Sequence, residues 1–217
     1  MMYRIRIARS RGAVEVFEVP EKGNYTILDA LEWIRLHKDR TLSYRHSCHH
    51  GSCGTCGAVG NGKRILTCLS KLSEFGEEIS LGPLSPFPVL ADLAIDPAPL
   101  YKDFPEKRTY TRPSEVHPDA TPPVEVANFT RFENCIECGL CESACPVTSA
   151  FMGPAALAAF SREIDKHAAR EPELLAAVSG RDGGPRCERA LECSRICPVG
   201  VFPAKHIARL RTRIEAR

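Results

Sequence analysis

Residues 48–56 read Cys-His-His-Gly-Ser-Cys-Gly-Thr-Cys, and a fourth cysteine, Cys68, follows after eleven further residues. Three thiolates in one short loop, joined by a fourth from nearby, can surround a metal centre. Gly51, Gly54 and Gly57 lie among them. Because glycine has no Cβ, the backbone N–H groups beside it can approach metal-bound sulfur closely. The stretch therefore predicts a metal centre in the N-terminal half of the chain.

The spacing Cys48-x4-Cys53-x2-Cys56 is that of plant-type [2Fe–2S] ferredoxins. Structural zinc is the alternative, but zinc ribbons usually present paired Cys-x2-Cys knuckles. His49 and His50 would suit a Rieske centre, in which two histidines replace two cysteines. Four cysteines already complete the set, so we expect both histidines to be solvated loop residues.

The sequence around this loop predicts a small α+β domain. Period-2 alternation indicates strands at 3–9 and 14–19, and a capping-box pattern starting at Thr26 indicates a helix over 27–37. Asn61-Gly62 is a hairpin turn signal, and residues 79–81 offer a last strand. We expect a β-grasp fold of the plant-type ferredoxin kind over residues 1–100.

A proline-rich connector is predicted next, over residues 101–123. Ten of the 17 prolines lie between Pro83 and Pro123, and proline removes backbone donors and fixes φ. Between Pro83 and Pro123, residues 89–93 are predicted to form one turn of helix. A helical domain is predicted over 124–217, because Pro154, Pro172 and Pro203 each precede an apolar periodic segment. Its cysteines are expected in the turns between helices.

The second cysteine group is Cys135-x2-Cys138-x2-Cys141-x3-Cys145-Pro146, the run of bacterial ferredoxins. The fourth cysteine of such a run ligates the other cluster in two-cluster proteins. A second run follows in altered form, with alanine in place of one cysteine: Cys187-x2-Ala190-x2-Cys193-x3-Cys197-Pro198.

The cross-ligation rule then assigns the ligands of two clusters. A complete [4Fe–4S] cluster is predicted on Cys135, Cys138, Cys141 and Cys197. Cys145, Cys187 and Cys193 supply only three thiolates, which predicts [3Fe–4S], since alanine cannot ligate iron. A labile [4Fe–4S] with water, Glu188 or Glu192 at the open corner is the alternative. These assignments use all 11 cysteines, so we expect no catalytic residue among them.

Composition excludes several other classes of protein. The chain has 217 residues with 29 Lys and Arg against 27 Asp and Glu, a net charge of +2 that predicts no nucleic-acid partner. An odd number of clustered cysteines does not fit a secreted disulfide scaffold. The N-terminus lacks the apolar segment of a signal peptide, and no apolar run approaches membrane-spanning length. We therefore expect a soluble chain that stays in the cytoplasm.

In its order of motifs the chain resembles the iron–sulfur subunit of the succinate dehydrogenase/fumarate reductase family. Residues 43–48 (Ser-Tyr-Arg-His-Ser-Cys) through Cys56 look like that family's first-cluster loop. Residues 135–141 (Cys-Ile-Glu-Cys-Gly-Leu-Cys) and 153–157 (Gly-Pro-Ala-Ala-Leu) also match, as does the last run with its Ala190 gap. The resemblance covers nearly the whole chain.

This resemblance implies an electron-transfer subunit of a succinate:quinone oxidoreductase. A flavoprotein partner with FAD would interconvert succinate and fumarate. The chain would carry single electrons between that flavin and a quinone, menaquinone or ubiquinone, at membrane anchor subunits with or without haem b. It would lie as a peripheral subunit on the cytoplasmic face of the inner membrane.

One departure concerns the quinone site. Many family members have tryptophan soon after the Cys-Pro of the second run, and histidine after the first cysteine of the last. Here residues 147–152 contain no tryptophan and Glu188 follows Cys187. This is consistent with a menaquinone-linked enzyme or an unusual anchor, and it identifies no quinone ligand.

A free ferredoxin-type carrier and a zinc-organised scaffold are the rival functions.

Overall fold

The computed structural model describes residues 2–105, 119 and 135–217, which form two compact units. The first unit combines Met1–Pro99 with Ile136–Ala144, and the second combines Leu100–Cys135 with Cys145–Arg217. The predicted connector lies mostly outside the described residues, so the predicted domain boundaries at residues 100 and 123 stay a prediction.

The first unit is built on a five-stranded mixed sheet with the strand order β2-β1-β5-β3-β4. Strand β1 pairs antiparallel with β2 and parallel with β5, and β3 pairs antiparallel with both β4 and β5. All five strands were predicted: the first two from period-2 alternation, the next two from the Asn61-Gly62 turn signal, and the last from residues 79–81. Their bounds are β1 Met2–Ala8, β2 Val14–Pro20, β3 Gly57–Gly60, β4 Lys63–Leu66 and β5 Glu78–Gly82.

Helix α1, Ile27–His37, covers this sheet. The predicted capping box is present, because the backbone N–H of Asp29 donates to Thr26 Oγ1 at 3.1 Å and that of Thr26 to Asp29 Oδ2 at 2.8 Å. The helix buries its apolar face in one core with the inward side chains of β1 and β5. This core holds the cysteine loop, which follows α1, on a rigid support.

A short hairpin replaces the predicted helical turn at residues 89–93, so that prediction was wrong. Strands β6, Val89–Ala91, and β7, Ala94–Ile95, pair antiparallel. Asp92 at the turn has φ +47°, and its carboxylate accepts backbone N–H bonds from Ser10 at 2.8 Å and Ser43 at 2.9 Å. These long-range bonds outweigh the weak helical preference of a five-residue segment.

The second unit is helical, as predicted. Helices α4, Pro154–Lys166, α5, Glu171–Val178, and α7, Pro203–Glu215, share a core that includes Leu157, Leu175 and Leu210. The short helices are α2 Ala98–Tyr101, α3 Leu140–Ala144 and α6 Glu192–Arg195, and the 3₁₀ helices are Ser10–Gly12, Leu72–Glu74, Ala168–Arg170 and Gly184–Arg186.

Two cysteines lie in short helices rather than in turns, which corrects the prediction for Cys141 in α3 and Cys193 in α6. In the part of the chain that the structure describes, no helix is both long enough and apolar enough to cross a bilayer.

Candidate metal centres

The first cysteine set lies at one end of the β3–β4 hairpin. Cys56 directly precedes β3, and Cys68 follows β4 by two residues. A bond from the Thr67 N–H to the Cys56 carbonyl at 3.1 Å closes the hairpin at this end. The Sγ atoms of Cys56 and Cys68 are 3.3 Å apart, and both residues are buried. The hairpin therefore brings together two cysteines that are twelve positions apart in sequence.

Cys48 and Cys53 complete this set from the exposed side of the loop. The Cys53 N–H donates to Cys48 Sγ at 3.3 Å, and the Ser52 N–H donates at 3.2 Å. The backbone N–H of His50, followed by those of Cys53 and Ser52, lowers the pKa of the Cys48 thiol to about 6. Burial, together with neighbouring Cys56, raises the pKa of Cys68 to about 12.

The buried thiols of Cys56 and Cys68, with those of Cys48 and Cys53 in the loop that precedes β3, make a donor set that suits a cation. A buried thiolate is costly unless positive charge lies against it. The backbone N–H groups around Cys48 are the kind of donors that stabilise sulfur in iron–sulfur sites. The residues therefore fit the predicted [2Fe–2S] group.

Gly54 has a second role that the sequence did not reveal. Its φ is +72°, and a Cβ built on it would lie 2.1 Å from the Ile136 carbonyl oxygen and 3.0 Å from the Cys138 nitrogen. The loop of the first set is thus in backbone contact with the second cysteine run, within one compact unit. A side chain at Gly54 would separate these two loops.

Cys138 and Cys141 of the predicted second set lie in the first unit, where Gly139 between them packs against Phe87. Cys135 and Cys197 belong to the second unit, in which Cys197 Sγ accepts the Val201 N–H at 3.3 Å. The assignment of these four cysteines to one cluster remains a prediction.

The third set lies within the second unit. Cys145, Cys187 and Cys193 line one pocket, together with Ala190, with apolar side chains that include Ile207, and with the charged residues Glu188, Arg189 and Glu192. Burial raises the pKa of Cys193 to about 11, and the sulfurs of Cys145 and Cys187 add to this shift. One contact at this site was not predicted from the sequence. Arg211 Nη1 of α7 donates a hydrogen bond to the backbone carbonyl of Cys187 at 2.9 Å.

The backbone of the last run repeats that of the second run. Glu137 and Gly139, on either side of Cys138, have φ of +54° and +73°; Arg189 and Leu191, on either side of Ala190, have +59° and +64°. Ala190 therefore occupies the position of a ligand in an otherwise matching loop.

The two carboxylates considered as substitute ligands already have partners. Glu188 Oε1 accepts from Arg186 at 3.1 Å, and Glu192 pairs with Arg195. Both pairs involve exposed side chains. Both carboxylates also line the pocket of the third set, so the choice between three ligands and a carboxylate-completed cluster remains a prediction.

Comparison with known proteins agrees with the two kinds of site. Residues 1–102 match the family described as "2Fe-2S iron-sulfur cluster binding domain". Residues 131–201 match the family described as "4Fe-4S dicluster domain". The fold and the matched families thus define a protein with [2Fe–2S] and [4Fe–4S] clusters as cofactors.

Similar proteins of known name cover nearly the whole chain. The fumarate reductase iron-sulfur subunit of Mycobacterium tuberculosis (strain CDC 1551 / Oshkosh) is 36% identical over 97% of this chain and 93% of that protein. The succinate dehydrogenase iron-sulfur subunit of Coxiella burnetii (strain RSA 493 / Nine Mile phase I) is 32% identical over 87% of this chain and 83% of that protein.

Among solved structures, a chain of the Mycobacterium smegmatis Sdh1 complex in the apo form matches with a TM-score of 0.80. It is 22% identical and covers 100% of this chain and 96% of that chain, which supports the fold. The chain belongs to the iron–sulfur subunits of the succinate dehydrogenase/fumarate reductase family, the electron-transfer subunits of an oxidoreductase complex. A [3Fe–4S] cluster is typical of this family.

Proposed function

We propose that this chain relays single electrons between the FAD of a flavoprotein subunit and a membrane quinone, in a succinate:quinone oxidoreductase. The observation that carries the proposal is the backbone contact of Gly54 with Ile136 and Cys138. It places two cysteine loops against each other inside one compact unit. Centres held by loops in direct contact are close enough for electron transfer without a mobile carrier.

The proposed ligands are three sets of cysteines. Cys48, Cys53, Cys56 and Cys68 would hold [2Fe–2S]; Cys135, Cys138, Cys141 and Cys197 would hold [4Fe–4S]; Cys145, Cys187 and Cys193 would hold [3Fe–4S]. When bound, such clusters accept and release one electron at a time, at potentials set by charge, hydrogen bonds and exposure.

The protein's own contribution in this proposal is to position the ligands and to stabilise their charge. The N–H groups at Ser52 and Cys53 donate to the Cys48 sulfur, which would stabilise added negative charge at the first site. Apolar side chains around the third set would exclude water there. The dicarboxylate chemistry would belong to the flavoprotein partner.

The same proposal extends to the partners and the location, and the names of the relatives as iron-sulfur subunits support it. The chain would be a peripheral subunit on the cytoplasmic face of the inner membrane, between a flavoprotein and one or more anchor subunits, with or without haem b. The quinone would be menaquinone or ubiquinone.

The test is purification of the tagged chain from native membranes without oxygen, followed by low-temperature EPR. We expect co-purification with a flavoprotein, about nine irons per chain, and reduction of bound clusters by succinate. A chain that never associates with a flavoprotein, and is reduced by dithionite but not by succinate, would be a free carrier. A colourless chain with zinc and no acid-labile sulfide would be a zinc scaffold. Either result would refute the proposal.

A further inference from the structure

Glu32, His46 and His49 bring three ligand atoms together beside the first cysteine loop. His46 Nδ1 lies 3.1 Å from His49 Nε2, and Glu32 Oε1 lies 3.8 Å from the first nitrogen and 3.6 Å from the second. The three atoms come from two parts of the first unit, because Glu32 is on α1 and both histidines are in the loop around Cys48. The proposed electron relay uses none of them.

These separations match the edges of a metal coordination polyhedron. Zn²⁺ binds imidazole nitrogen and carboxylate oxygen at about 2.0–2.2 Å with tetrahedral geometry, so its ligand atoms lie about 3.4 Å apart. The two carboxylate–imidazole distances exceed the usual length of a hydrogen bond. One cation among the three atoms would bind the carboxylate and both rings together.

The three groups are also held in place. Glu32 is fixed on a helix whose opposite face is in the core. The His46 ring packs against Tyr44, with centroids 5.3 Å apart, and meets the His49 ring edge-on at 5.2 Å. A site that is already formed loses less side-chain entropy on binding.

The surroundings leave access for a fourth ligand. The three side chains are 31–44% exposed, so water can reach the site. Arg35 lines a surface pocket together with Glu32 and His46, and its guanidinium lies over the Tyr44 ring, 5.9 Å from the ring centroid. Two imidazoles, one carboxylate and a water position make a ligand set that suits Zn²⁺.

We propose that Glu32, His46 and His49 form a site for a divalent transition-metal ion, with Zn²⁺ as the matching ion. The bound ion would join α1 to the loop that carries Cys48, because His49 is the next residue after that cysteine. It would also place a positive charge beside the first cluster, which would raise the reduction potential of that cluster. The proposal goes beyond the electron relay and does not depend on it.

The experiment uses the full, cluster-loaded chain without oxygen, dialysed against buffered Zn²⁺, with zinc, iron and sulfide counted per chain. We expect one zinc to bind while the iron count is unchanged. Glu32→Gln and His49→Gln should each weaken zinc binding at least tenfold. His37→Gln is the matched control, because this exposed histidine on α1 bonds the Trp33 carbonyl at 2.9 Å and is outside the triad; its zinc binding should equal that of the unchanged chain.

Three results would overturn the proposal. They are no zinc uptake at an unchanged iron count, equal uptake in the Glu32→Gln and unchanged chains, and zinc uptake matched by loss of iron, which would place the zinc on cysteines. Co²⁺ gives a second readout of location. It should speed the relaxation of the reduced [2Fe–2S] EPR signal in the unchanged chain and leave Glu32→Gln unaffected.

Discussion

Ala190 is the residue at which we expect one side chain to set the composition of a cluster. The loop around it has the same pair of positive φ values as the loop around Cys138, so the missing ligand reflects a changed side chain and not a changed backbone. The nearby carboxylates of Glu188 and Glu192 line the same pocket but have arginine partners, so we expect neither to replace the missing thiolate. We therefore expect the residue at this position to decide between three irons and four.

Replacing Ala190 tests this directly. In Ala190→Cys we expect the sharp, near-isotropic EPR signal of the oxidised protein to disappear, because a fourth thiolate completes a second [4Fe–4S] cluster. Iron should rise from about nine to about ten per chain. EPR before and after dithionite, with iron analysis, gives the measurement; an unchanged signal and iron count would show that the ligand assignment is wrong.

His206 gives a pH dependence to the second unit. It is buried on α7, its ring Nδ1 lies 3.1 Å from Ser161 Oγ, and burial, with Arg162 and Arg209 nearby, lowers its pKa to about 4. Lys205 adds to this lowering and Asp165 opposes it. The unfolded chain takes up a proton near pH 6.5 that the folded chain does not bind until about pH 4. Stability is therefore full above pH 6.5 and decreases as the pH falls towards 4.

His206→Gln should remove this dependence. Between pH 7.5 and pH 5.5 we expect the unchanged chain to lose about 1 kcal/mol, allowing for partial solvent screening, or about 3 °C of melting temperature relative to the variant. The melting temperatures of the unchanged chain and the variant, both cluster-loaded, are measured by circular dichroism at each pH. Parallel changes in the two proteins would contradict the assigned role of His206.

At the scale of elements, the contact between the first cysteine loop and the second run can be tested directly by substitution. Gly54 and Gly62 have similar φ values, +72° and +78°. A Cβ at Gly54 would meet backbone atoms of Ile136 and Cys138, whereas at Gly62 it would have no described atom within 4 Å. Alanine at each of the two positions therefore distinguishes the effect of backbone strain from that of a steric clash.

Gly54→Ala should reduce the amount of bound [2Fe–2S] and [4Fe–4S] severalfold, because the new Cβ forces the two loops apart. Gly62→Ala should cost only the strain of a left-handed residue, about 1 kcal/mol, with full iron content. Iron and sulfide analysis and the visible absorption of both purified variants provide the measurement. Equal iron content in the two would mean that the loop contact is not needed for cluster binding.

At the scale of the molecule, each unit has a hydrophobic core of its own. The first core joins the five-stranded sheet to α1, and the second joins α4, α5 and α7. Damage to one core should therefore act mainly on the clusters whose ligands that unit supplies. Leu210 is fully buried in the second core, whereas Ala208, on the same helix, is exposed.

Leu210→Asp places a carboxylate in an apolar core, at a cost of several kcal/mol that a marginally stable unit cannot absorb. We expect loss of the EPR signals of the second and third clusters, because the second unit supplies Cys135, Cys145, Cys187, Cys193 and Cys197. The [2Fe–2S] signal should remain. Ala208→Asp should keep all three signals. If Leu210→Asp loses the [2Fe–2S] signal as well, while Ala208→Asp keeps it, the two cores unfold together.

How far the sequence determined this protein depends on whether each feature is local. The spacing of cysteines is local, and it correctly predicted the two kinds of cluster domain. The ligand sets derived from the same spacing remain predictions. The helix at 27–37 was also predictable, because its capping box involves residues only three apart. Strand alternation located β1 and β2, and the Asn61-Gly62 turn signal located the β3–β4 hairpin, because both signals are local.

The tertiary structure decided what depends on distant residues. The hairpin at 89–95 forms because Asp92 bonds Ser10 and Ser43, which are 82 and 49 positions away. The role of Gly54 depends on Ile136, and the triad of Glu32, His46 and His49 depends on the packing of a helix against a loop. A sequence pattern records periodicity and spacing along the chain, whereas these contacts arise only when folding buries separate segments against one another.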